Sequence, residues 1–132
     1  MRLTDHTDYS LRVLMYLNQN KKLVTLNELA DKLGISKNNL IKVSKQLAKL
    51  KYIESTRGRS GGIWLSKETG AINLRTIVQQ TEESLSISEC FSNKKSHCTF
   101  LRGCLLKNGL NNALEAFLNS LAQITLNDIT PK

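Results

Sequence analysis

The sequence predicts a mainly α-helical protein with one small β-hairpin, and three observations carry that prediction. Two short amphipathic segments are joined by the tight turn "GIS". Strand-like residues flank a glycine-rich turn directly after them. Near the C-terminus a long apolar seam recurs at helical spacing. At 132 residues the chain holds about one domain, enough to bury a single core.

A first helix is predicted over residues 5–18, with Leu11, Leu14, Met15 and Leu17 on its apolar side. Asp8 and Arg12 lie four apart in the acid-before-base order that a helix favours, and their plainest reading is a surface ion pair. A second helix opens at "TLNELADKLG", where Thr25 and Glu28 fit a capping box and Gly34 ends the run. Leu26, Leu29, Ala30 and Leu33 mark its buried face.

Ser36 is a good cap for a third helix, in which Leu40, Val43, Leu47 and Leu50 repeat at 3, 4, 3. Its other face reads Lys37, Asn38, Asn39, Lys42, Lys45, Gln46 and Lys49. Two short helices at this spacing form a helix-turn-helix, whose second helix enters the DNA major groove. Asn pairs with adenine and Lys with guanine or phosphate, so Ser36, Lys37, Asn38, Asn39 and Lys42 are the candidate contacts.

The next stretch, "KYIESTRGRSGGIWLS", predicts strands over 52–56 and 63–66. A hairpin placed there makes a winged helix-turn-helix. Arg57, Arg59 and Ser60 fall at its tip. Gly58, Gly61 and Gly62 let the backbone approach a phosphate or the minor groove. "RGRSGG" lacks the ending of a phosphate-cradling nucleotide loop and opens no helix, so a nucleotide site is discounted.

A turn over 67–70 leads to a helix over 74–82, with Leu74, Ile77 and Val78 inward. Beyond the cysteines, Leu110, Leu114, Phe117, Leu121 and Ile124 are spaced 4, 3, 4, 3. That seam can pack on its own domain, but in so small a DNA-binding chain it is expected to pair with a second copy. Two-fold dimers are the common way to read a palindrome. Residues 1–70 are thus expected to be the winged helix-turn-helix, and 71–132 the cysteine loop and dimerisation helix. Pro131 falls in a tail expected to fray.

The net charge of +8 is unevenly placed. Residues 1–67 carry thirteen Lys or Arg against five acids, and the remainder carries six of each sign. The N-terminal half therefore attracts polyanions, of which nucleic acid is the natural one. No apolar run approaches the roughly 20 residues that span a bilayer, and the polar N-terminus has no signal-peptide core. The expectation is a soluble cytoplasmic protein. Only two histidines, no recognisable nucleophile–base pair and no cofactor loop argue against an enzyme.

All three cysteines fall in "ECFSNKKSHCTFLRGC", with seven residues between Cys90 and Cys98 and five between Cys98 and Cys104. A structural zinc site usually contains a tight Cys-x2–4-Cys pair, absent here, although His97 could nominally complete a Cys3His set. Two thiols could pair as a redox switch and leave the third over. Packed core thiols fit badly among Ser, Asn, Lys and His. An iron–sulfur cluster leads, because its irons take thiolates, and Lys94, Lys95 and Arg102 offset its charge. Redox thiols come next and zinc last. A cluster iron left without a cysteine needs a fourth ligand from elsewhere.

Several stretches together resemble the iron–sulfur-dependent winged-helix regulators, the family of the IscR and nitric-oxide-sensing NsrR types. They are "MRLTDHTDYSLR", "GISKNNLIKVSKQLAKLKYI", "RGRSGGIWL", the three cysteines and a closing "ITLNDI". The likeness is strongest to the NsrR type and covers nearly the whole chain. It implies a homodimeric repressor of double-stranded operator DNA whose signal is nitric oxide. It also implies an iron–sulfur cluster, [4Fe-4S] rather than [2Fe-2S], on Cys90, Cys98 and Cys104. The fourth ligand in the NsrR type is an aspartate from the partner's first helix, and the matching position is Asp8. Arg12, its i+4 neighbour on the same helix, is the expected relay from that ligand to the reading head. The IscR type uses a histidine three residues past the last cysteine, where this chain has Lys107. The first cysteine gap is longer than is common in the family. The runner-up functions are a cluster-independent thiol-redox or zinc-stabilised regulator, and an IscR-like regulator of iron–sulfur homeostasis.

Overall fold

A computed structural model describes residues 1–92 and 97–132. Lys94 and Lys95, assigned above to the charge of the cysteine loop, lie outside the described residues. Helix α1 (Asp5–Gln19) starts where the Thr4 hydroxyl accepts the Thr7 N–H. Its buried face reads Thr7, Ser10, Val13, Leu14, Leu17 and Asn18, while the expected Leu11 and Met15 are only half-buried. Small polar residues can line this face because their groups are satisfied: Ser10 Oγ donates to His6 O at 2.7 Å.

Helix α2 (Leu26–Leu33) is capped by Thr25 and closed by Gly34, which sits in the left-handed region at φ 64°. Only half of the expected capping box forms. The Thr25 hydroxyl accepts the Glu28 N–H, but the Glu28 carboxylate turns away and accepts from Tyr16 Oη at 2.8 Å. Ser36 caps α3 (Lys37–Lys49), whose Leu40, Val43 and Leu47 are buried against α1 and α2. Strands β1 (Ile53–Thr56) and β2 (Gly62–Leu65) pair antiparallel with Ile53 opposite Leu65. Val24 and Ile63 exchange two backbone hydrogen bonds of 2.8 Å, so the segment before α2 pins the hairpin close to its turn.

A short 3-10 turn (Thr69–Ala71) precedes α4 (Leu74–Thr81), in which Leu74, Ile77 and Val78 point inward as expected. Helix α5 (Leu105–Leu121) follows the cysteine segment, and a last short helix α6 (Leu126–Ile129) returns to α1. Leu126 is fully buried, and Asn18 Nδ2 donates to Asn127 Oδ1 and Thr130 Oγ1, both at 2.9 Å. Pro131 and Lys132 are exposed beyond it. Gly70 packs so closely on the Asn127 side chain that no Cβ would fit between them. The core runs without a break from α1 through α3 and the hairpin to Leu74, Ile77 and Leu126.

The seam predicted for α5 is divided. The helix ends at Leu121, with Ile124 in the turn beyond, and both pack against the core. Leu118, outside the predicted spacing, is the residue of α5 that becomes buried. Leu105, Leu106 and Phe117 are 84%, 69% and 37% exposed. Among the described residues no helix is long and apolar enough to cross a membrane.

Candidate metal centre and nucleic-acid interface

The third helix presents its polar face as the sequence requires. Ser36, Lys37, Asn38 and Lys42 are exposed and Asn39 half-buried at its start, with Lys45 and Lys49 exposed further along. Gln46 departs from expectation and turns inward. It meets His6 of α1 and donates from Nε2 to Gln80 O at 2.9 Å, while Tyr52 Oη donates to the Gln80 side chain. A long polar side chain at that position is taken up by neighbouring helices, which residue type alone does not reveal. Burial pushes the Tyr52 phenol up from its ordinary range.

The hairpin tip holds Arg57, Arg59 and Ser60 exposed. Gly58 takes a positive φ of 104°, which favours glycine. Gly61 serves a different need from the one expected. A Cβ there would lie 2.5 Å from Thr56 O, so the glycine lets the turn close on itself. An exposed cationic tip beside an exposed Lys- and Asn-bearing helix is suited to the phosphates and base edges of a duplex.

The cysteines lie away from this face in sequence, at the entrance to α5. Cys90, Cys98 and Cys104 all line one cavity of about 600 Å³, together with Arg102 and Lys107. Cys104 is the N-cap of α5, and its Sγ accepts the Lys107 N–H at 3.3 Å. The positive end of a helix there favours negative charge. Cys90 Sγ is 3.1 Å from Ser88 Oγ, and Cys98 is exposed. The Lys107 ammonium lies 5.6 Å from the centre of the Phe91 ring. His97 is exposed and is not among the residues lining the cavity.

Three thiols on one cavity form a donor set that fits an iron–sulfur cluster. Among the described residues no three His, Cys, Asp or Glu side chains converge as a preformed metal site within the one chain. Asp8 is not on the cavity wall; both its oxygens bond Arg12, from Nε at 3.1 Å and Nη2 at 2.8 Å. The expected helical pair is therefore present, on an exposed side of α1.

A helix-turn-helix with a hairpin wing and a localised basic face define a winged-helix DNA-binding regulator, and three thiols line a separate cavity. The chain belongs to the Rrf2 family of iron-dependent transcriptional regulators, whose sequence pattern matches residues 3–132. The "HTH-type transcriptional regulator NsrR" of Bacillus licheniformis is 47% identical over 131 residues, 98% of this chain and 92% of that protein. The Bacillus subtilis regulator of the same name is 43% identical over 98% of this chain and 90% of its own length. Among solved structures, T. potens IscR superposes with a TM-score of 0.72 at 20% identity, covering 98% of this chain and 85% of that one. The B. subtilis cysteine regulator CymR superposes at 0.75 with 21% identity, covering 98% and 96%. The winged-helix architecture expected from the sequence is thus the architecture of its structural neighbours, and the protein is a transcription regulator rather than an enzyme.

Proposed function

We propose that this chain is a homodimeric, cytoplasmic iron–sulfur repressor that binds a palindromic operator and releases it in the presence of nitric oxide. The observation that carries the reading is the grouping of Cys90, Cys98 and Cys104 on one cavity, in a chain that matches NsrR regulators over nearly its full length. In this reading those thiols and the partner subunit's Asp8 hold the cluster, as [4Fe-4S] rather than [2Fe-2S]. When bound, the cluster supplies iron that reacts with nitric oxide. Residues 1–70 form the DNA-reading unit, and residues 71–132 form the cluster-binding and dimerisation unit.

This chain's own residues provide the coupling. The Asp8 carboxylate has an alternative partner in Arg12, with which it forms two hydrogen bonds. The same helix carries His6, which meets Gln46 of α3. A change in the first turns of α1 therefore has a path to the reading helix through this contact, alongside the packing of α1 on α3. Ser36, Lys37, Asn38, Asn39 and Lys42 serve the major groove, and Arg57, Arg59, Ser60 and Gly61 the adjoining backbone or minor groove.

The test is the absorption spectrum of anaerobically purified protein, followed with operator affinity during nitric oxide addition. The expected result is a visible band that changes in step with loss of DNA binding. A colourless, zinc-bearing protein overturns the cluster reading. A Cys98→Ala protein that binds DNA as tightly as wild type and ignores nitric oxide overturns the switch, in which the bound cluster holds the dimer on its operator.

A further inference from the structure

We propose that the cavity at the base of the hairpin is a second ligand site, one that takes a small organic anion with an apolar body. It lies apart from the cysteines and from the DNA-reading face, and it does not depend on the repressor reading. The cavity encloses about 720 Å³, a size usual for small-molecule sites. Residues of α1, the turn after it, β2, the 3-10 turn and α6 line it, and none of α3 or of the hairpin tip does.

Its apolar half comes from Leu23, Trp64 and Leu65. Val24 pairs antiparallel with Ile63, which puts Leu23 across from Trp64 on one face of the sheet. Gly62 makes room for that leucine: a Cβ there would come 2.7 Å from Leu23 Cδ2. Trp64 is held from the other side by β1, where its Nε1 donates to Glu54 Oε2 at 3.0 Å. The indole is thus fixed before any ligand arrives, and Leu23 beside it remains 40% exposed.

Its charged half is cationic. Lys21, Lys22 and Lys67 line the cavity against one carboxylate, Glu68. Lys21 Nζ donates to Asn18 Oδ1 at 3.2 Å, and Lys22 pairs with Glu28 at 3.5 Å. Among the described residues Lys67 has no side-chain hydrogen bond or ion pair. This positive excess selects an anion, and Leu23 with Trp64 selects an apolar body attached to it. Carboxylates and phosphates share that chemistry.

Trp64 is the chain's single tryptophan, so its fluorescence reports on this cavity. Full-length protein is titrated, without DNA, with phenylacetate, phenyl phosphate, neutral phenylacetamide and inorganic phosphate. At least one of the two organic anions should shift the emission saturably, half-saturating at about 1–10 mM for probes of this size. The amide should need about tenfold more, because it forms no charge-assisted bond. Lys67→Gln should weaken the organic anions about three- to tenfold with an unchanged melting temperature. Leu23→Ala should weaken them about threefold through lost apolar contact.

Emission that never saturates with either organic anion overturns the proposal. So does an amide that binds as well as phenylacetate. A Lys67→Gln protein that binds the anions like wild type overturns it too, and assigns that lysine to solvent or to DNA. Inorganic phosphate that competes as strongly as phenyl phosphate would make the cavity a plain anion site and remove its apolar half. The titration contains no DNA, so its failure leaves the repressor reading standing.

Discussion

At Gly61 the absence of a side chain shapes the wing. A Cβ there would lie 2.5 Å from Thr56 O, 2.8 Å from Gly58 O and 2.9 Å from the Arg57 carbonyl carbon, all backbone atoms that cannot swing aside. Gly61→Ala is expected to cost about 1–3 kcal/mol in urea unfolding and to weaken DNA binding by misplacing Arg57 and Arg59. The Asp8–Arg12 pair differs, because the two side chains are 42% and 49% exposed. Exposed pairs of this kind contribute about 0–1 kcal/mol, so Arg12→Ala should hardly move the melting temperature. If Arg12 is the relay, the same variant should change the nitric oxide concentration at which the operator is released. The Tyr16 hydroxyl donates to Glu28, which raises the phenol above its ordinary range and lowers the carboxyl below its own, so this contact is strongest at neutral pH.

At the scale of the element, α6 is short but closely held. Thr125 and Asp128 form a reciprocal capping box, with the carboxylate accepting from the Thr125 N–H and hydroxyl, both at 2.8 Å. The Thr125 backbone bond, followed by its hydroxyl, lowers the Asp128 pKa from its ordinary value. A carboxyl lowered on folding adds stability that is complete above its unfolded pKa and is lost as pH falls through the folded one. Asp128→Ala should therefore melt lower than wild type at pH 7, and the gap should close below the ordinary carboxylate range. Leu126 inserts from the same element and is fully buried. Leu126→Ala should cost about 2–5 kcal/mol by chemical denaturation.

Across the whole molecule, charge and apolar surface are segregated. The basic excess lies in residues 1–67, while most of the uncovered large apolar side chains gather later, at Phe100, Leu101, Leu105, Leu106 and Phe117, against Met1, Leu23 and Ile41 in the basic half. Leu85, Leu114 and Phe117 also line a groove of about 520 Å³ beside the N-terminus. In the proposed dimer this face meets a second copy. Phe117→Asp is then expected to shift the sedimentation coefficient toward monomer and lower affinity for a palindromic site, with helix content retained. A variant that remains dimeric would remove α5 from the interface.

Much of this was legible in the chain. The 3-and-4 spacing of α3, the Ser36 cap, the Gly34 stop and the Gly-rich turn each act within a few residues, so the sequence alone determines the helix-turn-helix, its wing and the exposed Lys/Asn face. The clustering of the cysteines is likewise plain in the sequence. Tertiary structure decided what depends on partners distant in sequence. It buried Thr7, Ser10 and Asn18 in place of Leu11 and Met15, and it turned Gln46 toward His6 and Gln80. It folded the C-terminal helix back onto α1 and left Phe117 of the α5 seam exposed, with Leu110 and Leu114 half-buried. Local periodicity reports which residues share a face, but only the packed chain shows which face meets another element and which waits for a partner.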